Sequence, residues 1–279
     1  MKRIIVTHRS HYQLTRPARS ARLTHRLIPC TVEQQRCLDH RLDTMPPSSG
    51  SGDYIHVKEP FRELVVVARS RVCRHGPWRG SFPPESGDYA FSPSPPIRQR
   101  ALSAFVGRTA VDRCSSLVAA VRRWLAYVPT APPATPTACL ARGYGVCVDL
   151  AAVAIACFRH LGWAARFVGG YPVSARPNRR AMHAWICVFI PNRGWLELDP
   201  TAGRPCDDGY VSVAWGCRRH DVLPLVGIID GGGEQKVSVT IDFRPDLAGR
   251  ATPRGSPVGS TEFSPVWSGR ILRPLIRGE

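Results

Sequence analysis

The sequence predicts an α+β protein in which a small β-rich region precedes a core made of a cysteine-bearing helix packed on an antiparallel sheet. One observation is an apolar stripe with helical spacing that begins at Cys147 and runs to Leu161. A second is the series of strand-like runs that follows this helix. A third is the β-rich pattern of the first 72 residues. We therefore expect the helices and the strands to occupy separate parts of the chain.

The N-terminal region, residues 1–73, is predicted to form a small antiparallel sheet domain. Its short runs are rich in Tyr, Leu, Ile and Val, and turn-forming residues separate some of them, notably at 46–53. Residues 74–97 are rich in Pro, Gly and Ser, which is typical of a linker. The predicted strands of this region cover residues 10–15, 21–28, 54–57 and 64–72.

The core is predicted to span residues 98–244 and to begin with two helices. The first covers residues 111–127, where apolar side chains share one face and a series of prolines follows. The second starts at Cys147 after a glycine-rich turn and is stopped by Gly162. Its apolar stripe consists of Cys147, Leu150, Ala151, Ala154, Ile155, Phe158 and Leu161.

The rest of the core is predicted to be β-structure. The segment from Lys236 to Phe243 alternates between polar and apolar residues, as expected for a half-buried strand that closes the core. Residues 245–279 are rich in Pro, Gly, Ser and Arg, and we expect a flexible basic tail there. The strand-like runs before Lys236 lie at residues 163–171, 182–190, 195–199 and 210–215.

The composition is that of a soluble globular protein. The 279 residues are 43% hydrophobic and 21% charged, and no apolar run reaches the roughly 20 residues that a membrane span needs. The first residues are basic but lack the apolar stretch of a signal peptide, so we expect a cytoplasmic protein without a membrane partner. The sequence gives no indication of the oligomeric state.

The net charge of +17 comes almost entirely from arginine. Such a charge is compatible with nucleic-acid binding, but the arginines are scattered and no basic patch with interleaved aromatic residues is present. We therefore interpret the charge as compositional and do not expect a nucleic-acid partner. The ten cysteines include no Cys-x-x-Cys pair, so the usual zinc and thioredoxin spacings are absent, and we expect no metal site.

One of these cysteines has the surroundings that thiol catalysis requires. Cys147 begins a helix, where unpaired N–H groups and the helix dipole stabilise a thiolate. His183 lies in a run that is apolar on both faces, which is typical of a central strand, and a histidine there needs a partner. Asp199, at the end of the next strand, can orient it. Taken singly each residue is more often structural, but together they indicate a Cys–His–Asp acyl-transfer site.

This assignment restricts the loop length of the hairpin that joins the His183 strand to the Asp199 strand. Cross-strand residues share a face only when they are opposed or offset by an even number. A loop of four residues would place His183 and Asp199 on opposite faces. An odd loop would set Trp185 opposite Asp199 and place His183 on the diagonal. The site therefore predicts an odd loop or a bulge.

The separated blocks around these residues resemble the core of the bacterial transglutaminase-like superfamily. The β-rich N-terminal region and the segment from Asp221 to Phe243 resemble the flanking parts of such proteins. The resemblance implies a papain-like α+β core, no obligatory cofactor, and Cys147, His183 and Asp199 as the catalytic triad. The blocks are Gly145-Val146-Cys147-Val148-Asp149, Gly169-Gly170-Tyr171, His183-Ala184-Trp185, Gly194-Trp195 and Asp199-Pro200-Thr201.

The sequence departs from the family pattern at three places. Val148 follows the cysteine where relatives often have a polar residue, and Cys187 stands where they often have an acidic one. Arg218 falls in a block that reads Gly-Arg-Asp-Tyr in relatives. The expected function is cysteine-dependent acyl transfer on peptide or protein amides, as a protease, amidase, deamidase or transglutaminase. The alternative is a binding or scaffold protein with an inactive triad, which Cys147→Ala would distinguish.

Overall fold

The computed structural model describes residues 2–76, 82–173 and 181–246, which form two β-sheets and a group of helices. The first sheet is built around β1, which pairs with β4, β3, β12 and β13, while β2 pairs with the outer side of β4. All of these pairs are antiparallel. The strands are β1 (Lys2–His25), β2 (Gln35–Met45), β3 (Tyr54–Val57), β4 (Phe61–Arg74), β12 (Leu225–Gly231) and β13 (Gln235–Pro245).

The first sheet takes its last two strands from the far end of the chain. The sequence analysis assigned residues up to 244 to the core, but β13 pairs with β1, for example Val6 with Phe243. The alternating pattern of β13 gives its buried face without specifying its partner strand. The runs predicted at 10–15 and 21–28 belong to the single strand β1, whose register shifts between Gln13 and Ala18.

The second, five-stranded sheet carries most of the core. Its order is β10-β9-β8-β7-β11, so the strand predicted to be central, β8, has two strands on either side. Each neighbouring pair is antiparallel. The strands are β7 (Ala165–Pro172), β8 (His183–Ile190), β9 (Gly194–Asp199), β10 (Arg204–Pro205) and β11 (Tyr210–Gly216), and a separate parallel pair joins β5 (Ala126–Tyr127) to β6 (Tyr144–Gly145).

Helix α4 covers one face of the core sheet. Leu150, Ile155 and Phe158 of the predicted stripe are buried against Ile186 and Val188 of β8. The prediction of this helix and its buried face is confirmed, because apolar residues at this spacing must be removed from water together. Around it pack the other helices, so that the set is α1 (Pro95–Ala104), α2 (Ala110–Trp124), α3 (Pro136–Arg142) and α4 (Cys147–His160).

The segment before α1 is more structured than its composition suggested. A short 3₁₀ turn covers Ser86–Tyr89 within the expected linker, residues 74–97, and α1 begins at Pro95. The carboxylate of Asp88 is buried and accepts a hydrogen bond of 2.7 Å from Nη2 of Arg166 on β7. This ion pair fixes the segment to the core sheet.

A buried polar network joins the two sheets. Arg74 at the end of β4 donates from Nη2 to Oε2 of Glu197 on β9 at 2.9 Å, and neither side chain is exposed. Arg74 also donates to Oε1 of Gln35 at 2.9 Å, and the Gln35 amide donates to the carbonyl of Ser212 on β11 at 2.6 Å. Since an unpaired buried charge is costly, these contacts fix how the sheets meet.

Within the described residues, no helix combines the length and the apolar character needed to cross a bilayer. The predicted tail, residues 245–279, falls outside the described part of the chain from residue 247 onward.

Candidate active site

Cys147 is the first residue of α4 and is 4% exposed. The turn before it requires glycine at Gly145, because a Cβ there would lie 2.8 Å from Cβ of Asp149 and 3.0 Å from Sγ of Cys139. The backbone N–H of Val146 donates to Oδ2 of Asp149 at 3.1 Å and so caps the start of the helix. The cysteine thus lies where unpaired N–H groups of the first helical turn are concentrated.

Asp149 has a structural environment, in agreement with its interpretation as a helix-start acid. The residue is fully buried, and its carboxylate is paired with Nη2 of Arg142 at 3.1 Å and Nη1 of Arg219 at 2.8 Å. Both carboxylate oxygens are thus held in ion pairs at the start of the helix. The Arg219 partner comes from the block in which this sequence departs from its family pattern, so that block holds the start of α4.

His183 and Asp199 meet on one face of the core sheet. Nε2 of His183 lies 2.9 Å from Oδ2 of Asp199. The hairpin between β8 and β9 pairs Ile190 with Gly194 and Ile186 with Leu198, so its loop has three residues. Asn192 at φ 64° and Gly194 at φ 76° make this tight turn possible. The predicted odd loop is therefore confirmed.

His183, Asp199 and Cys147 come together at the end of a strand. Alternate β8 residues such as Ile186 face α4, while Trp185 faces the other way, and by alternation so does His183. As the first residue of β8, His183 can contact Asp199 on its own face and still hydrogen-bond to Cys147 at the start of α4. Because Nε2 faces Asp199, Nδ1 is the ring nitrogen that remains for the thiol.

The charge of the site follows from these contacts. Burial disfavours a charged imidazole, but attraction and hydrogen bonding to Asp199, together with the contact with Cys147, raise the pKa of His183 to about 10. Burial likewise opposes ionisation of Asp199, yet attraction to His183 and the hydrogen bonds to the carboxylate hold the pKa of Asp199 below its usual value. At neutral pH the histidine is an imidazolium facing a carboxylate.

Tyr210 is a member of the site that the sequence analysis did not find. Its hydroxyl on β11 donates to Oδ2 of Asp199 at 2.8 Å. The backbone N–H groups of Thr201 and Ala202 donate to Oδ1 at 2.8 and 3.1 Å. With His183, four donors hold this carboxylate in one orientation. A tyrosine in a strand carries no sequence signal for such a role, because apolar packing explains it equally well.

The indole of Trp185 packs against the imidazole ring of His183. The two rings stack with centroids 6.1 Å apart and 27° between their planes. Trp185 donates from Nε1 to Oε1 of Glu197 at 3.1 Å, so the buried inter-sheet network also orients the indole. Gly170 on β7 lies opposite His183 and leaves room for the indole of Trp185. A Cβ at Gly170 would lie 2.7 Å from Cη2 of Trp185.

Two of the departures from the family pattern have local explanations. Cys187 lies directly opposite Arg166 across β7 and β8, and the acidic partners of Arg166 are Asp88 and Glu85 from the segment before α1. Val148 is fully buried and lines a cavity beside His183. For the third, Arg218, nothing in the structure explains the substitution.

All ten cysteines are free thiols. Burial raises the pKa of Cys157 to about 12, and that of Cys187 well above its usual value. Both are therefore protonated at neutral pH, whereas Cys147 has an imidazolium beside it. Among the described residues, no group of three or more His, Cys, Asp or Glu side chains is placed to hold a metal ion.

A cysteine at the start of a helix, packed on an antiparallel sheet that supplies a histidine and an aspartate, defines a papain-like α+β protein. Residues 103–200 match the Transglutaminase-like superfamily. An uncharacterized protein of Mycobacterium tuberculosis is 31% identical over 86% of this chain and 92% of its own length. Another, from Mycobacterium leprae, is 27% identical over 87% of this chain and 99% of its own length.

A solved structure has the same overall fold. It is described as "a Putative Cysteine Protease from Cytophaga hutchinsonii", is 17% identical, and superposes with a TM-score of 0.70 over 92% of this chain and 94% of its own. Together with the sequence matches, this places the chain in the Transglutaminase-like superfamily, with a transglutaminase-like core and a β-rich N-terminal region.

Proposed function

We propose that this protein is a cysteine-dependent acyl transferase acting on peptide or protein amides, with Cys147 as nucleophile, His183 as acid and base, and Asp199 as the group that orients the histidine. The observation that carries the proposal is the continuous chain of contacts from Asp199 through His183 to Cys147. Membership of the superfamily and the fold shared with the Cytophaga protein support a general cysteine-dependent activity.

The reaction begins with attack of the Cys147 thiolate on the amide carbonyl carbon. The first backbone N–H groups of α4 face the oxyanion that forms, and the helix dipole adds to its stabilisation. The His183 imidazolium then gives its proton to the leaving amine as the C–N bond breaks, which produces a thioester on Cys147. A water or an amine attacks the thioester, His183 accepts its proton, and the thiolate is released.

The acceptor decides the class of enzyme. Water gives a protease, amidase or deamidase, and a primary amine gives a transglutaminase. We place hydrolysis first. The residues do not require a metal or a cofactor for either reaction, because the imidazolium and the helix N-terminus supply the charge stabilisation.

The test is a comparison of acceptors with one peptide mixture. Purified protein is incubated with tryptic peptides in ¹⁸O-labelled water, with and without a biotinylated primary amine, and mass spectrometry then reports new termini, deamidation and amine incorporation. Cys147→Ala should abolish every product. Cys157→Ala, a change in the same helix at a buried thiol, should retain them. Products that persist in Cys147→Ala would refute the assigned nucleophile.

A second measurement tests the nucleophile without a substrate. Iodoacetamide at mildly acidic pH should label Cys147 first, because its thiolate is paired with the His183 imidazolium. His183→Ala should slow the labelling and move its onset to higher pH. The more exposed thiols Cys30, Cys37 and Cys217 serve as internal controls. Equal labelling of the accessible thiols, unaffected by His183→Ala, would favour the binding or scaffold alternative.

A further inference from the structure

A cavity of about 140 Å³ lies beside His183, between the core and the N-terminal sheet. The core contributes its inner wall through Val148, Val222 and His183. The outer wall comes from β1, β12 and β13, and includes Tyr12, Leu23, Val237 and Val239. The strands β12 and β13 therefore complete the cavity by joining the first sheet.

The size and the lining of this cavity define what fits into it. A dry protein cavity of about 150 Å³ lined by apolar side chains binds benzene. The present cavity is similar in volume, and most of its wall is apolar. The side chain of a leucine or a phenylalanine matches this volume, whereas a charged side chain would lose its hydration without gaining a partner.

Several of the polar side chains in the wall are already engaged. His8 is buried, and its ring nitrogens lie 2.9 Å from Oγ of Ser10 and 3.1 Å from the Tyr171 hydroxyl. Burial lowers the pKa of His8 to about 4, so the ring is neutral. His183 faces Asp199 and Cys147. The described wall thus offers an incoming side chain mainly apolar contact, and its other polar side chains, Tyr12 and Gln235, carry no charge.

The cavity is also in the right place for substrate recognition. Its wall includes His183 and the residue that follows Cys147 in the chain. A peptide with its carbonyl carbon at Cys147 would have a neighbouring side chain within reach. Val148 extends the apolar wall to the proposed nucleophile.

We propose that this cavity, which the N-terminal sheet completes, binds a bulky apolar side chain of the substrate within two residues of the reactive carbonyl. The proposal rests on the proposed function. It assigns the N-terminal sheet a role in selecting substrates: peptides with Leu, Ile, Met or Phe at this position react faster than those with Gly, and those with Asp, Glu, Lys or Arg there react slowest.

The first experiment examines the cavity without chemistry. Toluene, which has the size of a phenylalanine side chain, is titrated into methyl-labelled full-length protein carrying Cys147→Ala. The valine methyl signals of Val148, Val222 and Val237 should shift. Val237→Phe fills the cavity and should abolish the shifts. Val226→Phe, on the exposed side of the same sheet, should leave them unchanged. No shift in the Cys147→Ala protein would overturn the proposal.

The second experiment uses turnover of the peptide mixture by the otherwise unchanged protein. Reacted sites should be enriched about tenfold or more in bulky apolar residues at one position. Val237→Phe should remove that enrichment while iodoacetamide still labels Cys147 at the same rate. Val237→Ala, a milder change, should shift the preference toward larger side chains such as Trp. Turnover without positional enrichment would overturn the proposal and leave the proposed function intact.

The two failures are distinguishable. Toluene binding with no turnover of any peptide would refute the proposed function, and with it the assignment of the cavity to a substrate. Turnover with no toluene binding would refute the cavity's role alone.

Discussion

On one face of the core sheet α4 covers Ile186 and Val188 with apolar side chains, whereas on the other face Glu197 and Ser212 belong to a buried polar network shared with the N-terminal sheet. Cys147, the proposed nucleophile, comes from the apolar side, at the first turn of α4. The proposed base His183 and its partner Asp199 lie on the polar side. Packing therefore positions the thiol, and hydrogen bonds position the histidine.

Substitutions on the two faces of the core sheet should change the stability of the protein in different ways. An apolar contact loses stability in proportion to the atoms removed and the cavity left. A buried ion pair loses most when one partner remains alone, and much of that loss is recovered when the second is neutralised. This difference can be tested directly.

Arg74→Met should have the largest effect on stability. It removes the arginine that pairs with the fully buried carboxylate of Glu197, at a cost of about 3–5 kcal/mol. Adding Glu197→Gln should recover much of this, because Oε1 can still accept from Trp185 and Ser212. Leu150→Ala under α4 should cost about 2–5 kcal/mol, with no partner able to restore it. Urea unfolding measures all three. A double variant no more stable than Arg74→Met would contradict this account of the ion pair between the two sheets.

Asp199→Asn should lower kcat/KM on the order of a thousandfold while leaving the fold intact. The Asn oxygen can still accept from Thr201 and Ala202, but its NH₂ group would face Nε2 of His183 and impose the wrong tautomer. Kinetics on any peptide found to react, with circular dichroism as the check on folding, measure this effect. A loss smaller than tenfold would remove Asp199 from the triad.

His183 should make stability depend on pH. Its folded pKa of about 10 exceeds the unfolded value of 6.5, so between these values the folded state holds a proton that the unfolded chain has released. The stabilisation is therefore complete below pH 6.5 and is lost as the pH rises through 10.

The comparison that isolates this effect is the difference in unfolding free energy between the unchanged protein and His183→Gln, measured by urea at pH 6, 8 and 10. Subtracting the variant removes the contribution of the buried thiols, which also titrate at high pH. The difference should shrink steadily toward pH 10. A constant difference would show that the ring does not hold its proton in the folded state.

Tyr210→Phe should have the smallest effect, about tenfold in kcat/KM, because it removes one of the four donors to Asp199. Since that donor helps hold the pKa of Asp199 down, the acid limb of the pH–rate profile should move to higher pH. Tyr171→Phe is the matched control, because its hydroxyl contacts His8 instead. A shift of the acid limb in both variants would assign the effect to packing.

The sequence predicted the parts of the site that periodicity controls. The stripe on α4 identified the buried face behind Cys147, and the doubly apolar run identified β8 as central. The requirement that His183 and Asp199 share a face predicted an odd loop, and the loop has three residues. These predictions succeed because helical spacing and strand alternation constrain geometry over a few residues.

The parts that were not predicted depend on contacts between distant segments. Asp88 lies in a Pro- and Gly-rich stretch, and only the fold brings it to Arg166. β2 was missed because it has few buried residues and many polar ones. The alternation of β13 specifies a half-buried strand and leaves its neighbour open, so its pairing with β1 could not be read from the pattern.

The pairing of β1 with β12 has a consequence for how the protein is made. Arg19 on β1 and Asp230 on β12 form an ion pair across 211 positions of sequence. A ribosome adding about 5–20 residues per second would deliver β12 roughly 10–40 seconds after β1. During that interval the nascent β1 can pair with β3 and β4 while the edge meant for β12 and β13 stays open to other chains. We therefore expect the newly synthesised chain to need a chaperone that shields the open edge of β1 from other chains until β12 and β13 have been synthesised.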